Sequence, residues 1–315
     1  MPWHDARGGC SHFQRAYLLG LHPPGVRDAK RFYQAVHVAL LANATAIQSF
    51  RRLVPDGMIG PVFPYMPAYP ASPRPEDVLA FENAEEFLQH WFLDPFLRGH
   101  YPDAAFARLK ARGLAPEMLD GDAGLLAAGR PDFLGVNYYF SVCYAANADG
   151  VGLAGINSTG AKGSTDVSGV PGLYKTAPNP FVETTEWDWA IDPVGLRIVL
   201  RRLANRYRIP IMITENGLGA FDTLTPDGCV HDADRVGYLR SHLEECRIAI
   251  DEGVDLIGYC AWSFTDVLSW LNGYQKRYGF IYINRDETDA RDLRRVRKDS
   301  FAWYQRVIAT NGAAL

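Results

Sequence analysis

The sequence predicts an α/β fold with parallel strands, arranged as in a (β/α) barrel. Three observations carry this expectation. Helix-like and strand-like segments alternate along the chain, as a parallel sheet with crossover helices requires. The strand candidates are near-continuous apolar runs, as expected where helices cover both faces of a sheet. Three of them end in polar residues: Asn137-Tyr138-Tyr139, Glu215-Asn216, and Trp262-Ser263 with Asp266 just after. In a barrel of this kind chemistry sits at the C-terminal edge of the strands.

Taken in order, residues 28–54 form the first helix. Asp28 can cap it, and Phe32, Val36, Ala39, Leu40, Ile47 and Phe50 fall near one face. Pro55-Asp56-Gly57 ends it. Residues 58–70 (MIGPVFPYMPAYP) read as a strand whose prolines leave only its first part to pair. Residues 76–112 are helical in pieces and rich in aromatics. A second strand spans 132–140 (DFLGVNYYF). The Gly/Ser/Thr/Ala/Pro-rich stretch near 145–185 reads as a long loop, either a lid or a disordered insert. A helix over 193–207 starts with Pro near its first position and leads into the third strand, IPIMIT. In the helix over 232–252, Val236, Leu239, Leu243, Cys246 and Ile250 form one apolar face. The fourth strand is 255–264 (DLIGYCAWSF), and a last helix covers 298–309.

Composition narrows the function classes. The chain has 315 residues and a formal net charge of -4, so no basic excess exists to neutralise nucleic-acid phosphates. The basic run Arg291 to Lys298 reads as a solvated face. Five cysteines, odd in number and scattered without a CxxC, suggest reduced thiols and a cytoplasmic setting. No HExxH or His/Cys cluster suggests a metal, and no GxGxxG or GxxxxGK[ST] suggests a dinucleotide or nucleoside triphosphate. No cofactor is therefore expected. No apolar run is long enough for a transmembrane helix, and the first dozen residues lack the apolar region of a signal peptide. His37 reads as a core histidine and Asp266 as structural.

An apolar strand that ends on a carboxylate, ITENG at 213–217, asks for an explanation. With YLLGLHPPG (17–25), DFLGVNYY (132–139), YCAWSFTD (259–266), GYQKRYGF (273–280) and KDSFAWYQRVI (298–308), it resembles the family 1 glycoside hydrolases. These are the β-glucosidase and 6-phospho-β-glycosidase family of TIM barrels, and the resemblance runs over residues 13–309. It implies that Glu215 is the nucleophile of a retaining mechanism. It implies that Tyr139 hydrogen-bonds and orients Glu215, and that Asn137 lines the same floor. Trp262 resembles the tryptophan beneath the sugar ring, where a flat apolar face suits a pyranose.

The stretch LSWLNGYQKRYG (268–279) narrows the substrate. Members that act on non-phosphorylated sugars typically carry a Glu where this chain has Ser269. A Glu there would face a phosphate, and one like-charge pair at ~4 Å costs roughly 4 kcal/mol at an effective dielectric of about 20. Serine removes that repulsion and donates a hydrogen bond, while Lys276 and Tyr278 supply a charge and a hydroxyl. Ser269, Lys276 and Tyr278 match the phosphate-binding set of the 6-phospho-β-glycosidases. Trp270 resembles the 6-phospho-β-galactosidase pattern, a slight lean to galactosides that leaves glucosides open. The resemblance thus implies a phosphorylated β-glycoside as small-molecule partner and no cofactor.

The family pattern also breaks. A retaining glycosidase needs a second carboxylate about 5–5.5 Å from the nucleophile, as acid/base. In the family it lies in an Asn-Glu-Pro-like motif ahead of the region matching YLLGLHPPG. No glutamate precedes Glu76, Asp5 is the one acid upstream of the family-like region, and no acid/base is assigned. The expectation is the last four β/α units, the C-terminal half of a TIM (β/α)8 barrel spanning residues 13–315. Residues 1–12 are expected to be a non-homologous leader, as after a frameshift, an alternative start or a gene-model error. Such a half-barrel would present open strand edges and self-associate through them. The alternatives to an enzyme are a catalytically dead fragment, or a sugar-phosphate-binding half that needs a complementing chain. A plain β-glucosidase fragment is disfavoured by Ser269.

Overall fold

The computed structural model describes residues 13–155, 157–269 and 272–315. The expected leader, residues 1–12, lies outside the described residues, as does Trp270. One short π-helical turn, Gln14–Leu18, precedes α1 (Ala29–Leu53). Asp28 caps α1 by accepting the Arg31 amide at 3.0 Å, and Arg51 and Arg52 sit in its last turn, where cations oppose the helix dipole. The buried face of α1 is Phe32, Val36, His37, Leu40, Ala44 and Ile47. His37 is a core histidine with both ring nitrogens engaged, by the Tyr101 hydroxyl at 2.9 Å and Asp122 at 3.0 Å.

Two short strands follow, β1 (Val62–Pro64) and β2 (Ala68–Pro70). The expectation that only the first part of this segment pairs is corrected. β2 pairs too, parallel to β4, but in a different sheet from β1. The prolines end each strand and so remove no interior donor. The aromatic-rich region is helical in pieces, as expected: α2 (Pro75–Glu85), a π turn (Glu86–His90), α3 (Trp91–Leu97) and α4 (Asp103–Ala111). A further short helix, α5 (Asp122–Ala128), precedes β3 (Leu134–Tyr138).

Beyond β3 lies β4 (Val142–Ala145), and the stretch 145–185 is not structureless. It holds β5 (Gly169–Val170) and β6 (Tyr174–Ala177), which join β2 and β4 in a four-stranded sheet ordered β2-β4-β6-β5. α6 (Pro193–Tyr207) has Asp192 as its cap, accepting the Gly195 amide at 2.8 Å. It leads into β7 (Ile211–Asn216), α7 (Ala233–Asp251) and β8 (Leu256–Ala261). A hairpin of β9 (Ile281–Ile283) and β10 (Arg295–Arg297) precedes α8 (Asp299–Ala309).

The sheet that positions the site is parallel and ordered β1-β3-β7-β8. Its inner strands bury Leu134, Val136, Ile211 and Ile213 against Leu196, Val199, Leu200 and Leu203 of α6. Each such side chain removed from water contributes roughly 1.5–3 kcal/mol. β8 is an edge, and Ile257 and Cys260 on it are exposed.

Two burial expectations change. The buried face of α7 is Arg235, Tyr238, Leu239, His242, Cys246 and Ala249, and Ile250 is exposed. Polar side chains with internal partners take core positions there, which an apolar count cannot anticipate. Lys298 is likewise not part of a solvated face. It is buried and pairs with Asp222 and with Asp266 at 2.8 Å. No described helix is long and apolar enough to cross a membrane, and the described residues hold no cluster of metal-ligating side chains.

Candidate functional site

The site forms where β3 and β7 end together. Val136 pairs with Ile213, but Asn137 pairs with Glu215, so Thr214 is an extra residue on β7. Such a bulge re-aims the side chains after it. Glu215 and Asn216 are consequently both buried, against the alternation of an ordinary strand. The Tyr139 hydroxyl donates to Glu215 Oε2 at 2.6 Å. A hydrogen bond to an ionised acceptor is among the stronger neutral-donor contacts, and it favours the charged carboxylate. Asn137 Oδ1 accepts from the Thr214 hydroxyl at 2.6 Å, which fixes its side chain beside Glu215.

Asn216 ties the floor together. Its Nδ2 donates to the Tyr138 carbonyl at 2.9 Å and to the Tyr238 hydroxyl at 3.1 Å, and its Oδ1 accepts from the Tyr259 hydroxyl at 2.6 Å. The Tyr238 hydroxyl then donates to the Tyr139 carbonyl at 2.9 Å. A closed circuit results, from Glu215 through the chain to Asn216, to Tyr238, to Tyr139 and back to the Glu215 carboxylate. It links the end of β3 to β7 and α7, and Tyr259 of β8 is tied to it through Asn216.

Trp262 follows β8, and its amide donates to the Asn216 carbonyl at 2.8 Å. Gly217 is packed against the Trp262 carbonyl so closely that any Cβ there would collide with it. That close approach explains the glycine of ITENG. Downstream, the 263–283 segment is anchored from below. Asp266 accepts from Arg277 Nη1 at 2.9 Å, Lys298 Nζ at 2.8 Å and the Gly279 amide at 3.0 Å. Asp266 is therefore structural, as expected.

Lys276 lies over this floor at 1 % exposure. Its Nζ has no hydrogen-bond partner among the described residues. Three rings surround it, with centroids at 3.3 Å (Trp189), 4.7 Å (Trp187) and 5.7 Å (Tyr278). Burial pushes its pKa down to about 7, opposed by the charge of Glu186. Ring faces attract the cation but do not replace the hydration it has lost. A buried ammonium in this condition is suited to an incoming anion. The Tyr278 and Tyr139 rings are 6.2 Å apart, and the Tyr139 and Trp189 rings 5.6 Å apart, which joins the lysine's surroundings to those of Glu215. The Ser269 hydroxyl contacts Asn272 Oδ1 at 3.2 Å, at the turn that begins the same loop.

Glu215, Tyr139 and Asn137 are thus brought together, with Tyr278 and Lys276 beside them, and Trp262 and Ser269 on the two neighbouring segments. The sequence reading missed Trp187, Trp189, Tyr238 and Asn272, and took Asn216 only as a polar strand end. The one available signal was the pair of tryptophans in TTEWDWAIDP (184–193), large rings that break a Gly/Ser/Thr-rich stretch.

Comparison with known proteins finds relatives along most of the chain. The chain is 58 % identical over 305 residues to aryl-phospho-beta-D-glucosidase BglC of Bacillus subtilis, covering 96 % of this chain and 64 % of that one. It is 35 % identical over 303 residues to a 6-phospho-beta-galactosidase of Clostridium acetobutylicum, covering 93 % of this chain and 62 % of that one. Among solved structures, a family 1 β-glucosidase from Thermotoga maritima superimposes with a TM-score of 0.82 at 33 % identity, over 96 % of this chain and 62 % of that one. The chain therefore spans a little under two thirds of the length of these relatives. The description Glycosyl hydrolase family 1 matches residues 8–313. With that match running through the strand ends that hold Glu215 and Tyr139, the chain belongs to glycosyl hydrolase family 1, a family of TIM-barrel fold.

Proposed function

We propose that this chain serves the retaining hydrolysis of 6-phospho-β-glycosides. The single observation that carries the reading is the buried Lys276 ammonium, without a hydrogen-bond partner among the described residues, beside the Glu215–Tyr139 pair. In this reading Glu215 is the nucleophile. It attacks the anomeric carbon as the bond to the aglycone oxygen breaks and the aglycone leaves; water then cleaves the glycosyl-enzyme ester, which frees the sugar phosphate and restores the carboxylate. Tyr139 orients the carboxylate and keeps it ionised. Asn137 and Trp262 hold the sugar. Ser269, Lys276 and Tyr278 take the 6-phosphate, with Trp270 next to them in sequence. The acid/base carboxylate is assigned to no residue of this chain. Substrates with poor leaving groups need that proton most, so activated aryl glycosides are the sensitive probe. The names of the relatives support a phosphorylated sugar, glucoside or galactoside.

The test is release of nitrophenol from aryl 6-phospho-β-glucoside and aryl 6-phospho-β-galactoside, with Glu215→Gln as control. Release that disappears in the Gln variant supports the reading, and the ratio of the two rates gives the sugar preference. Release that survives the substitution overturns it.

One observation favours a second reading. β8 ends the parallel sheet with exposed Ile257, and Phe264 just after it is exposed too. An unpaired apolar strand edge is a template for another chain. In this reading the chain is a half-barrel that binds the sugar phosphate, is inactive alone, and self-associates or takes a complementing chain along β8. A monodisperse monomer in analytical ultracentrifugation counts against it.

A further inference from the structure

The two tryptophans against Lys276 are consecutive but for one residue, Asp188. It has a left-handed backbone, φ 60°. The turn that carries it is pinned by Thr185, whose hydroxyl accepts the Trp187 and Trp189 amides, both at 3.2 Å. The Asp188 carboxylate reaches away to a separate segment. Its Oδ1 accepts the Gly163 amide at 2.6 Å. Its Oδ2 accepts the Thr165 amide at 3.0 Å, the Thr165 hydroxyl at 2.8 Å and Asn157 Nδ2 at 3.1 Å. Partial burial raises its pKa, but these donors outweigh that and hold the carboxyl below its usual range.

The segment so gathered, residues 157–165, does not stay at a distance. Asn157 is buried, and its Oδ1 accepts the Thr159 and Gly160 amides, closing a tight turn. Gly160 lies against Phe221 and Trp187, where a Cβ would come within 2.6 Å of the Phe221 ring and 3.1 Å of the indole. The Asn157 carbonyl accepts from Asn272, and the Thr159 carbonyl from Gln275, each at 3.4 Å. Asn272 is the residue that contacts the Ser269 hydroxyl, and Gln275 precedes Lys276. Asp188 therefore joins two walls of one enclosure: the indoles against the ammonium, and the turn that braces the loop carrying Ser269 and Lys276.

We propose that Asp188 is a positioning residue for the phosphate subsite, acting by clamping the 157–165 segment against the Trp187–Trp189 turn so that Ser269 and Lys276 are held for one anion. It does not act through its charge: Glu186 is the carboxylate whose charge bears on Lys276. Four hydrogen bonds on one carboxylate, three of them to the same short segment's backbone amides or hydroxyl, give the clamp its strength. The inference rests on the phosphate-site reading above.

The experiment measures the affinities of the full chain for glucose 6-phosphate and for glucose by tryptophan fluorescence, and takes their ratio. Asp188→Gly suits the left-handed backbone and removes the carboxylate with its side chain. It is expected to weaken glucose 6-phosphate binding about tenfold while glucose binding changes less than about twofold, since ordering of the loop affects the anion alone. Hydrogen exchange at the Gly163 and Thr165 amides should quicken. Thr165→Val, which deletes one exposed donor and leaves the fold intact, should shift the ratio about threefold in the same direction. An unchanged ratio in both variants, or an equal loss for both ligands, overturns the inference and leaves the phosphate-site reading standing. An unsubstituted chain that does not prefer glucose 6-phosphate over glucose overturns both.

Discussion

Lys298→Met probes the buried charge network beneath the site. Lys298, at 0 % side-chain exposure, donates to Asp222 and to Asp266. Arg235 pairs with Asp222 at 3.0 Å and with Asp232 at 2.5 Å, and Arg277 pairs with Asp266 at 2.9 Å. Three cations thus face three carboxylates. Methionine keeps most of the length of the side chain and removes one positive charge, leaving the cluster one negative charge in excess. Removing one partner of a buried pair costs about 3–5 kcal/mol, because the other charge stays behind unpaired. Both stranded carboxylates here keep an arginine, and Asp266 also keeps the Gly279 amide. The expected loss is therefore at the low end, ~3 kcal/mol. Urea unfolding followed by tryptophan fluorescence reads it as a fall in midpoint at constant slope. Adding Asp266→Asn to the variant should recover part of the loss, with a coupling of about 1–2 kcal/mol, since it removes the surplus charge. A loss below ~1 kcal/mol, the size of an exposed ion pair, would refute the reasoning. It would mean that water screens these charges and that the basic run is a solvated face after all.

Two further outcomes follow from the site. Burial pushes the Lys276 pKa down to about 7, while a phosphate monoester becomes a dianion above about pH 6. Affinity for glucose 6-phosphate should peak between about 6 and 7 and fall as pH rises through 7, because binding then requires proton uptake. Calorimetric titrations at three pH values check this, and Lys276→Met should lose the alkaline fall; affinity that rises from pH 7 to 8 contradicts it. The same depressed pKa makes the unfolded chain bind the extra proton between about 7 and the ordinary lysine value. Burying this lysine therefore costs stability in full below about 7, and the cost is relieved as pH rises across that window. Tyr238→Phe breaks the circuit behind Glu215, leaving the Tyr139 carbonyl without that donor, and should cost about 1–3 kcal/mol. Equal stability in denaturant would show that the circuit carries no strength.

The sequence alone determined the alternation of elements, the parallel sheet, and Glu215, Tyr139 and Asn137 as strand-end residues. Each of these depends on what lies within a few positions along the chain: apolar period, caps such as Asp28 and Asp192, and where an apolar run stops. Resemblance then attached Ser269, Lys276 and Tyr278 to a phosphate through their spacing. What only the tertiary structure decided has partners far apart in sequence. The Thr214 bulge depends on the register between β3 and β7, which local periodicity does not encode. The reversal of Lys298 from solvated to buried depends on Asp222 and Asp266, which lie 76 and 32 residues away. The Lys276 surroundings depend on Trp187 and Trp189, which lie between the expected loop at 145–185 and the helix at 193–207. A charged side chain is buried only when its partners come with it. Those partners are brought by the fold, so no window along the sequence can show them.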